Sequence, residues 1–288
     1  SLNYVNTVNH RTQEGNGLTN PLWGIYAAPI TWNPQPSTWE DGTQRLYRSL
    51  SRNNPFYQIE NSGFVSTVNR ILPTVNLSYS PAKWITITER IGMDIYADNA
   101  RYYEDKTINN GVFGNQTGGV SNRLQDYRQL NHDFIVSLQK NLSNDLFGSI
   151  SLGNNILSNF SDTYTQSGIG LNIPKFYNIS NTSTSIVSDY VSKYRKVGFY
   201  AQANLEYKKM LNLSLTGRYD GSSLLAGDKQ YYPYGSAGVG FVFTELMNKS
   251  SAFSFGKIRV SYSSVGNDNI PPYSTTTPYV LGGTVSIN

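Results

Sequence analysis

With 288 residues the chain is long enough for one large or two medium domains, yet at 38% apolar and 15% charged it is poor in both classes, against about 25% charged in soluble domains. The absence of cysteine excludes disulfide frameworks, thiol nucleophiles and cysteine metal sites, and a scattered net charge of +4 excludes the basic stripe of a nucleic-acid binder. No run approaches the ~18 apolar residues of a membrane helix, but membrane strands need only about 9–11 alternating residues and escape any averaged hydropathy.

Residues 1–63 are dense in turn chemistry, with Asn20-Pro21, Asn33-Pro34, Gln35-Pro36, Asp41-Gly42 and Asn54-Pro55. They read as mainly a long loop region, preceded by the end of a strand. Trp23, Trp32 and Trp39 fall inside it. Packing of the loop onto itself is the plainer role for these rings; a stacking platform for a ligand is the other.

From residue 64 to 265 the texture becomes antiparallel strands. Val75, Leu77 and Tyr79 close one strand, Ser80 to Lys83 turns, and Ile85, Ile87, Ile91, Met93 and Ile95 alternate with polar residues on the way back. Glu89 alone breaks that apolar face, so it must lie near an interface, be paired, or mark a bulge. Asp98 to Leu130 reads as a long polar connection. A strand over Phe134, Val136 and Leu138, a turn at Asn141 to Asp145 and a partner through Leu146, Ile150 and Leu152 to Ile156 follow. Ser158 to Tyr194 reads as a second long connection.

The clearest hairpin runs from Lys196 to Ser223. Val197, Phe199, Ala201, Ala203, Leu205 and Tyr207 share one face of its first arm, and Leu211, Leu213, Leu215, Gly217 and Tyr219 one face of its second. Residues opposite one another share a face, and both apolar sets are odd-numbered. A two-residue turn would set Leu205 against Asn212. The parity therefore predicts a three-residue connection, Lys208 to Met210, with Phe199 opposite Tyr219 and Tyr200 opposite Arg218. After a loop at Leu224 to Tyr231, a strand carries Gly235, Ala237, Val239, Phe241 and Phe243 on one face. Thr244 to Ser254 turns the chain into a strand with Ile258, Val260 and Tyr262 outward. Residues 266–288 read as a loop and the start of a further strand, Tyr279 to Asn288.

Eight strands joined alternately by short and longer connections are the pattern of an outer-membrane barrel, with tight periplasmic turns and extended extracellular loops. The predicted fold is all-β: an antiparallel transmembrane β-barrel segment, integral to the outer membrane of a Gram-negative cell, its apolar faces toward lipid. Tyr200, Gln202, Asn204, Glu206, Arg218, Lys257 and Arg259 then line the lumen or contact a plug. Two other classes predict different structures. A carbohydrate-binding β-sandwich would pack two sheets with apolar faces together. A barrel enzyme would gather a Ser-His-acid cluster at the rim, yet the two histidines, His10 and His132, have no such partners indicated by sequence. Asp98, Glu104 and Asp105 lack calcium-loop spacing. No catalytic residue, cofactor or metal site is predicted.

Several segments resemble the SusC/RagA family of TonB-linked outer-membrane transporters of the Bacteroidetes type. They are Arg52-Asn53-Asn54-Pro55-Phe56-Tyr57, Val75-Asn76-Leu77-Ser78-Tyr79, Trp84-Ile85-Thr86-Ile87, Gly198 to Tyr207, Leu213 to Ser223, Tyr232-Pro233-Tyr234-Gly235-Ser236 and Phe255 to Asp268. Their order over Arg52 to Asp268 is similar to the middle of that family's barrel. The resemblance implies a barrel of about 22 strands closed by an N-terminal plug. It also implies import of glycans or oligopeptides, a SusD-like surface lipoprotein over the mouth, and TonB as the source of work. No TonB box, plug or aromatic-ended closing strand is recognisable here, so the sequence reads as part of such a barrel, with the plug domain and C-terminal barrel strands absent.

Overall fold

In the computed structural model, which describes residues 1–12, 19–48, 52–247 and 254–275, one antiparallel sheet dominates. Its nine strands are β1 (Leu2–Arg11), β2 (Ser62–Ala82), β3 (Ile85–Glu104), β4 (Gly119–Asn141), β5 (Leu146–Leu171), β6 (Thr182–Tyr207), β7 (Leu211–Ser222), β8 (Tyr231–Val242) and β9 (Lys257–Ser264), each beside its neighbours in sequence. Two short helices, α1 (Pro21–Tyr26) and α2 (Pro55–Asn61), belong to the connection between β1 and β2. A single continuous sheet with its apolar face uncovered departs from the two-sheet sandwich. Val75, Leu77, Tyr79, Leu152, Phe199, Leu215 and Val239 all stand exposed.

One parity rule runs through the sheet. Tyr79, Ile87, Val136, Leu152, Ala201, Gly217 and Gly235 are successive register partners across seven strands and share the outer face. The opposite face carries Arg70, Asp94, Tyr127, Asn159, Tyr200, Gln202, Asn204 and Arg218. In the β6–β7 hairpin Leu205 faces Leu213, Phe199 faces Tyr219 and Tyr200 faces Arg218, the register that parity requires. The three-residue connection is closed by the Met210 N–H donating to the Tyr207 carbonyl at 2.9 Å, with Lys208 and Lys209 both at positive φ, 48° and 59°. The adjoining turn is tied in by the Lys208 N–H, which donates to the Asp145 carbonyl at 2.7 Å.

Glu89 lies on the outer face with no bulge beside it, since its pairing with Leu77 and Phe134 is continuous. It is hydrogen-bonded to His132 Nε2, whose register partners are Ile91 and Ile156. Within the apolar band this gives the Glu89 carboxyl and His132 Nε2 a partner where lipid supplies none, while His132 Nδ1 is buried with no partner among the described residues.

The structure corrects the sequence reading in two places. The region 1–63 begins with a full strand, β1, whose ten residues pair with Phe64–Pro73 of β2. It was obscured because Asn3, Asn6 and Asn9 interrupt the alternation. The spans 98–130 and 158–194 are mostly strand: the true connections are residues 105–118 and 172–181. At about 3.3 Å per residue, the 26 residues of β5 or β6 run roughly 85 Å, whereas crossing a bilayer takes about 9–11 residues. Beyond the bilayer both faces are wet, and the backbone ladder continues without demanding apolar alternation. The strand read at Tyr279 to Asn288 lies outside the described residues.

Three connections at one end are short, Lys83-Trp84, residues 142–145 and residues 208–210, and the connection between β8 and β9 at that end is longer, residues 243–256. Those at the other end are built as a packed layer, and the Asn53-Asn54-Pro55 motif is its joint. Asn54 caps α2 by accepting from the Phe56 N–H at 3.0 Å, while its Nδ2 donates to the carbonyls of Pro34 and Arg45. Pro55 at the first helical position loses no hydrogen bond. Asn53 exchanges two bonds with the backbone of Asn109, both at 2.8 Å, and so fastens the β3–β4 connection to this layer. Asp105 holds a third connection by accepting from the Lys175 N–H at 2.6 Å.

Candidate functional site

The inner face of the sheet carries its chemistry in paired groups. Arg70 on β2 and Asp94 on β3 make a two-point contact, Nε to Oδ1 at 2.7 Å and Nη2 to Oδ2 at 2.6 Å. Farther from the short turns, buried Asp98 accepts from Ser66 Oγ at 2.6 Å and from Arg123 Nη2 at 2.7 Å. Tyr96 and Tyr127 stack with ring centres 4.6 Å apart, and the Tyr127 hydroxyl donates to Gln129 and accepts from Asn159. Asn155 Nδ2 donates to Asp133 Oδ1 at 2.6 Å.

Across β6, β7 and β8 these contacts close into a site. Arg218 lies over the Tyr200 ring, 5.0 Å from its centre, and donates to Asp220 at 3.1 Å and to the Tyr234 hydroxyl at 3.2 Å. Tyr234 in turn donates to Asp220. Gly198 is opposite Asp220 in the register, and a Cβ there would press into the carboxylate and the guanidinium. The glycine thus makes room for the ion pair, as Gly153 does for the ring of Tyr200. From the chain after β9, Asp268 meets Lys196 Nζ at 2.7 Å. Arg218, Asp220, Tyr234, Lys196 and Asp268 border a cavity of about 420 Å³ on the inner face, with Tyr200 beneath Arg218. Burial, the largest single effect, raises the Asp268 pKa, but the hydrogen bonds from Lys196 and Ser222 and the Lys196 charge together outweigh it and leave the carboxyl below its ordinary range.

Of the residues singled out from sequence, the structure brings together Tyr200 and Arg218. Gln202 and Asn204 continue the same inner face toward the short-turn end, where Glu206 lies beside the turns that carry Asp145 and Lys208. Lys257 and Arg259 lie on β9, the last described strand, with Lys257 running over Gly240. Each of the three tryptophans has its own surroundings among the described residues. Trp32 packs against Tyr47 with ring centres 5.0 Å apart, Trp39 lies under the Arg45 guanidinium at 4.9 Å, and Trp23 is on α1. Asp220 and Tyr234 were legible but not singled out: the first is two residues from Arg218 on the same face, the second its register partner. Lys196–Asp268 joins residues 72 apart through a loop contact that no pattern announces.

The lining offers guanidinium, ammonium, carboxylate and phenol groups to a hydrated solute, already partnered with one another. His10 sits on β1, and His132 faces outward with Glu89. Among the described residues no cluster of three His, Asp or Glu side chains is placed to hold a metal ion.

At the other end of the strands, Glu104 is 1% exposed and accepts from the Tyr102 hydroxyl at 2.7 Å and the Phe113 N–H at 3.3 Å. Burial pushes its carboxyl above the ordinary range against those hydrogen bonds, and pushes Tyr102 upward as well.

No protein-family model matches the chain. By sequence it is 27% identical over 268 residues to the TonB-dependent receptor P26 of Formosa agariphila, an alignment covering 89% of this chain and 27% of that protein. By fold it is similar to the RagAB peptide transporter, with a TM-score of 0.78 at 17% identity over 94% of this chain and 31% of the other. The RagAB peptide importer in its open-open and closed-closed states gives TM-scores of 0.76 and 0.71. The chain therefore spans under a third of the length of each. The SusC/RagA resemblance drawn from the sequence meets a TonB-dependent receptor in one comparison and RagAB in the other. The fold is a length of outer-membrane β-barrel wall.

Proposed function

We propose that this chain forms part of the barrel wall and loops of a TonB-dependent importer that takes a glycan or an oligopeptide across the outer membrane. The observation that carries this reading is the two-faced sheet: one side apolar and uncovered, the other lined by paired charges around a polar cavity. A solute passing along such a wall meets donors and acceptors at every strand, while within the apolar band the lipid side carries few polar groups, chiefly the Glu89–His132 pair and Asn154. The short turns are periplasmic and the packed layer of long connections is extracellular. A SusD-like lipoprotein over that layer and TonB acting through a segment elsewhere in the protein complete the importer. Tyr200, Gln202, Asn204, Glu206, Arg218, Lys257 and Arg259 are lumen-facing groups that touch plug or solute. Trp23, Trp32 and Trp39 serve the loop layer, with Trp39 the most open to a ligand.

Uptake of labelled oligopeptides and oligosaccharides by cells lacking the gene, restored with the full-length protein, tests this. Restored uptake of one class that vanishes without functional TonB is the expected result and identifies the substrate. Arg218→Gln is expected to lower that uptake severalfold at equal surface abundance. Uptake indifferent to deletion of the gene would sink the proposal.

A further inference from the structure

On the outer face, at the edge of the apolar band away from the short turns, two cations flank one aromatic ring and a third lies one row nearer the short turns. Arg128, Phe160 and Lys193 are direct register partners on β4, β5 and β6, in a row that continues through Ile95 and Ile71 on β3 and β2. The Arg128 guanidinium lies 5.6 Å from the Phe160 ring centre and Lys193 Nζ 5.1 Å from it. Arg195 shares this face two residues nearer the short turns, in the row of Leu130 and Ser158. Phe160, Lys193, Arg195, Ser158 and Ser223 border an open cavity of about 420 Å³. No salt bridge among the described residues engages any of the three cations. Two carboxylates, Asp126 and Asp162, face each other one layer farther from the band and close it against anions from that side.

Cations above an apolar wall, with alkyl stems along it and an aromatic ring between them, match an anion whose tail lies in the wall's own solvent. We propose that Arg128, Lys193 and Arg195, arranged about Phe160, bind the phosphate headgroup of an outer-leaflet amphiphile of the lipid A type. The choice of leaflet rests on the sidedness given above. The phosphate takes charge-assisted hydrogen bonds from the three side chains and the acyl chains lie over Leu130, Ile156 and Val197.

The test uses the full-length protein in phosphatidylethanolamine nanodiscs doped with diphosphorylated lipid A, bound lipid A being counted by native mass spectrometry. The variant Arg128→Gln/Lys193→Gln/Arg195→Gln is expected to retain about tenfold less lipid A than the parent, as the loss of charge-assisted contacts implies. Arg128→Lys/Arg195→Lys is expected to keep most of it, and excess inorganic phosphate to displace none. Should the triple variant fail to fold, the three single Gln variants are read in its place. Equal retention by parent and variants, equal retention of dephosphorylated lipid A, or displacement by inorganic phosphate overturns the site. A Lys229→Cys variant on intact cells reports sidedness separately. Labelling by an impermeant maleimide with equal lipid retention overturns only the lipid site, whereas no labelling overturns the extracellular assignment and the choice of lipid A with it.

Discussion

Along β5 and β6 the rule that places side chains changes partway up. Near the short turns the outer face reads Leu146, Gly148, Ile150, Leu152, Asn154 and Ile156 on β5, apolar but for Asn154, and Tyr207, Leu205, Ala203, Ala201, Phe199 and Val197 on β6. Past Ser158 the same face reads Phe160, Asp162, Tyr164 and Gln166, opposite Lys193, Val191, Asp189 and Val187. The backbone ladder is identical in both halves. In the lower half lipid selects every second residue, because a charge there has no water. In the upper half stability comes from particular contacts, such as Asp98 with Ser66 and Arg123, and from the asparagine-rich loop layer.

The sharpest way to break the comparison is to place the same charge on the same face of both halves. Leu152→Arg, in the band, is expected to cost about 2–4 kcal/mol of folding free energy in vesicles, and Leu124→Arg, on the outer face of the upper half, within about 0.5 kcal/mol. Denaturant titration of the reconstituted full-length protein measures both, and equal costs would mean that the band does not face lipid. Next in size is Asp98→Ala, which strips Ser66 and Arg123 of their shared acceptor. Water still reaches the Arg123 side chain, 42% exposed, so the expected loss is about 1–2 kcal/mol by the same titration.

The smallest effect is one of pH. The carboxyl of Glu104 has its pKa raised in the folded state, first by burial, so the folded chain binds its proton more tightly than the unfolded chain does. This contribution to loop stability is complete below the ordinary carboxylate pKa and is lost as pH rises through the raised one. The Phe113 amide, which donates to Glu104, is expected to lose hydrogen-exchange protection, corrected for the intrinsic rate, as pH increases across that window. Glu104→Gln is expected to flatten the dependence. A wild-type profile that is flat, or one that rises with pH, contradicts the assignment.

How much of this was legible follows from which force acted where. Period-two alternation between Lys196 and Ser223 determined strand, face and even the length of the turn, because parity leaves one register that keeps both apolar sets together. The site was half legible on the same grounds: Tyr200 and Arg218 were found by their face, and Asp220 and Tyr234 followed the same rule unclaimed. The upper strands escaped. Residues 98–104, 119–130, 158–171 and 182–194 mix polar and apolar residues on both faces, so nothing in their pattern separates a protruding strand from a loop.

By itself, then, the sequence determined the sheet's two-sidedness and the register of its central hairpin, since both are local consequences of which side chains lipid accepts. Only the tertiary structure decided that the strands outrun the bilayer, that Glu89 meets His132, that Lys196 reaches Asp268, and that Arg128 and Lys193 flank Phe160. Those are contacts between residues on neighbouring strands or loops, distant in the chain. They exist because a backbone ladder, indifferent to side-chain identity, carries each strand past its neighbour and sets the partners side by side.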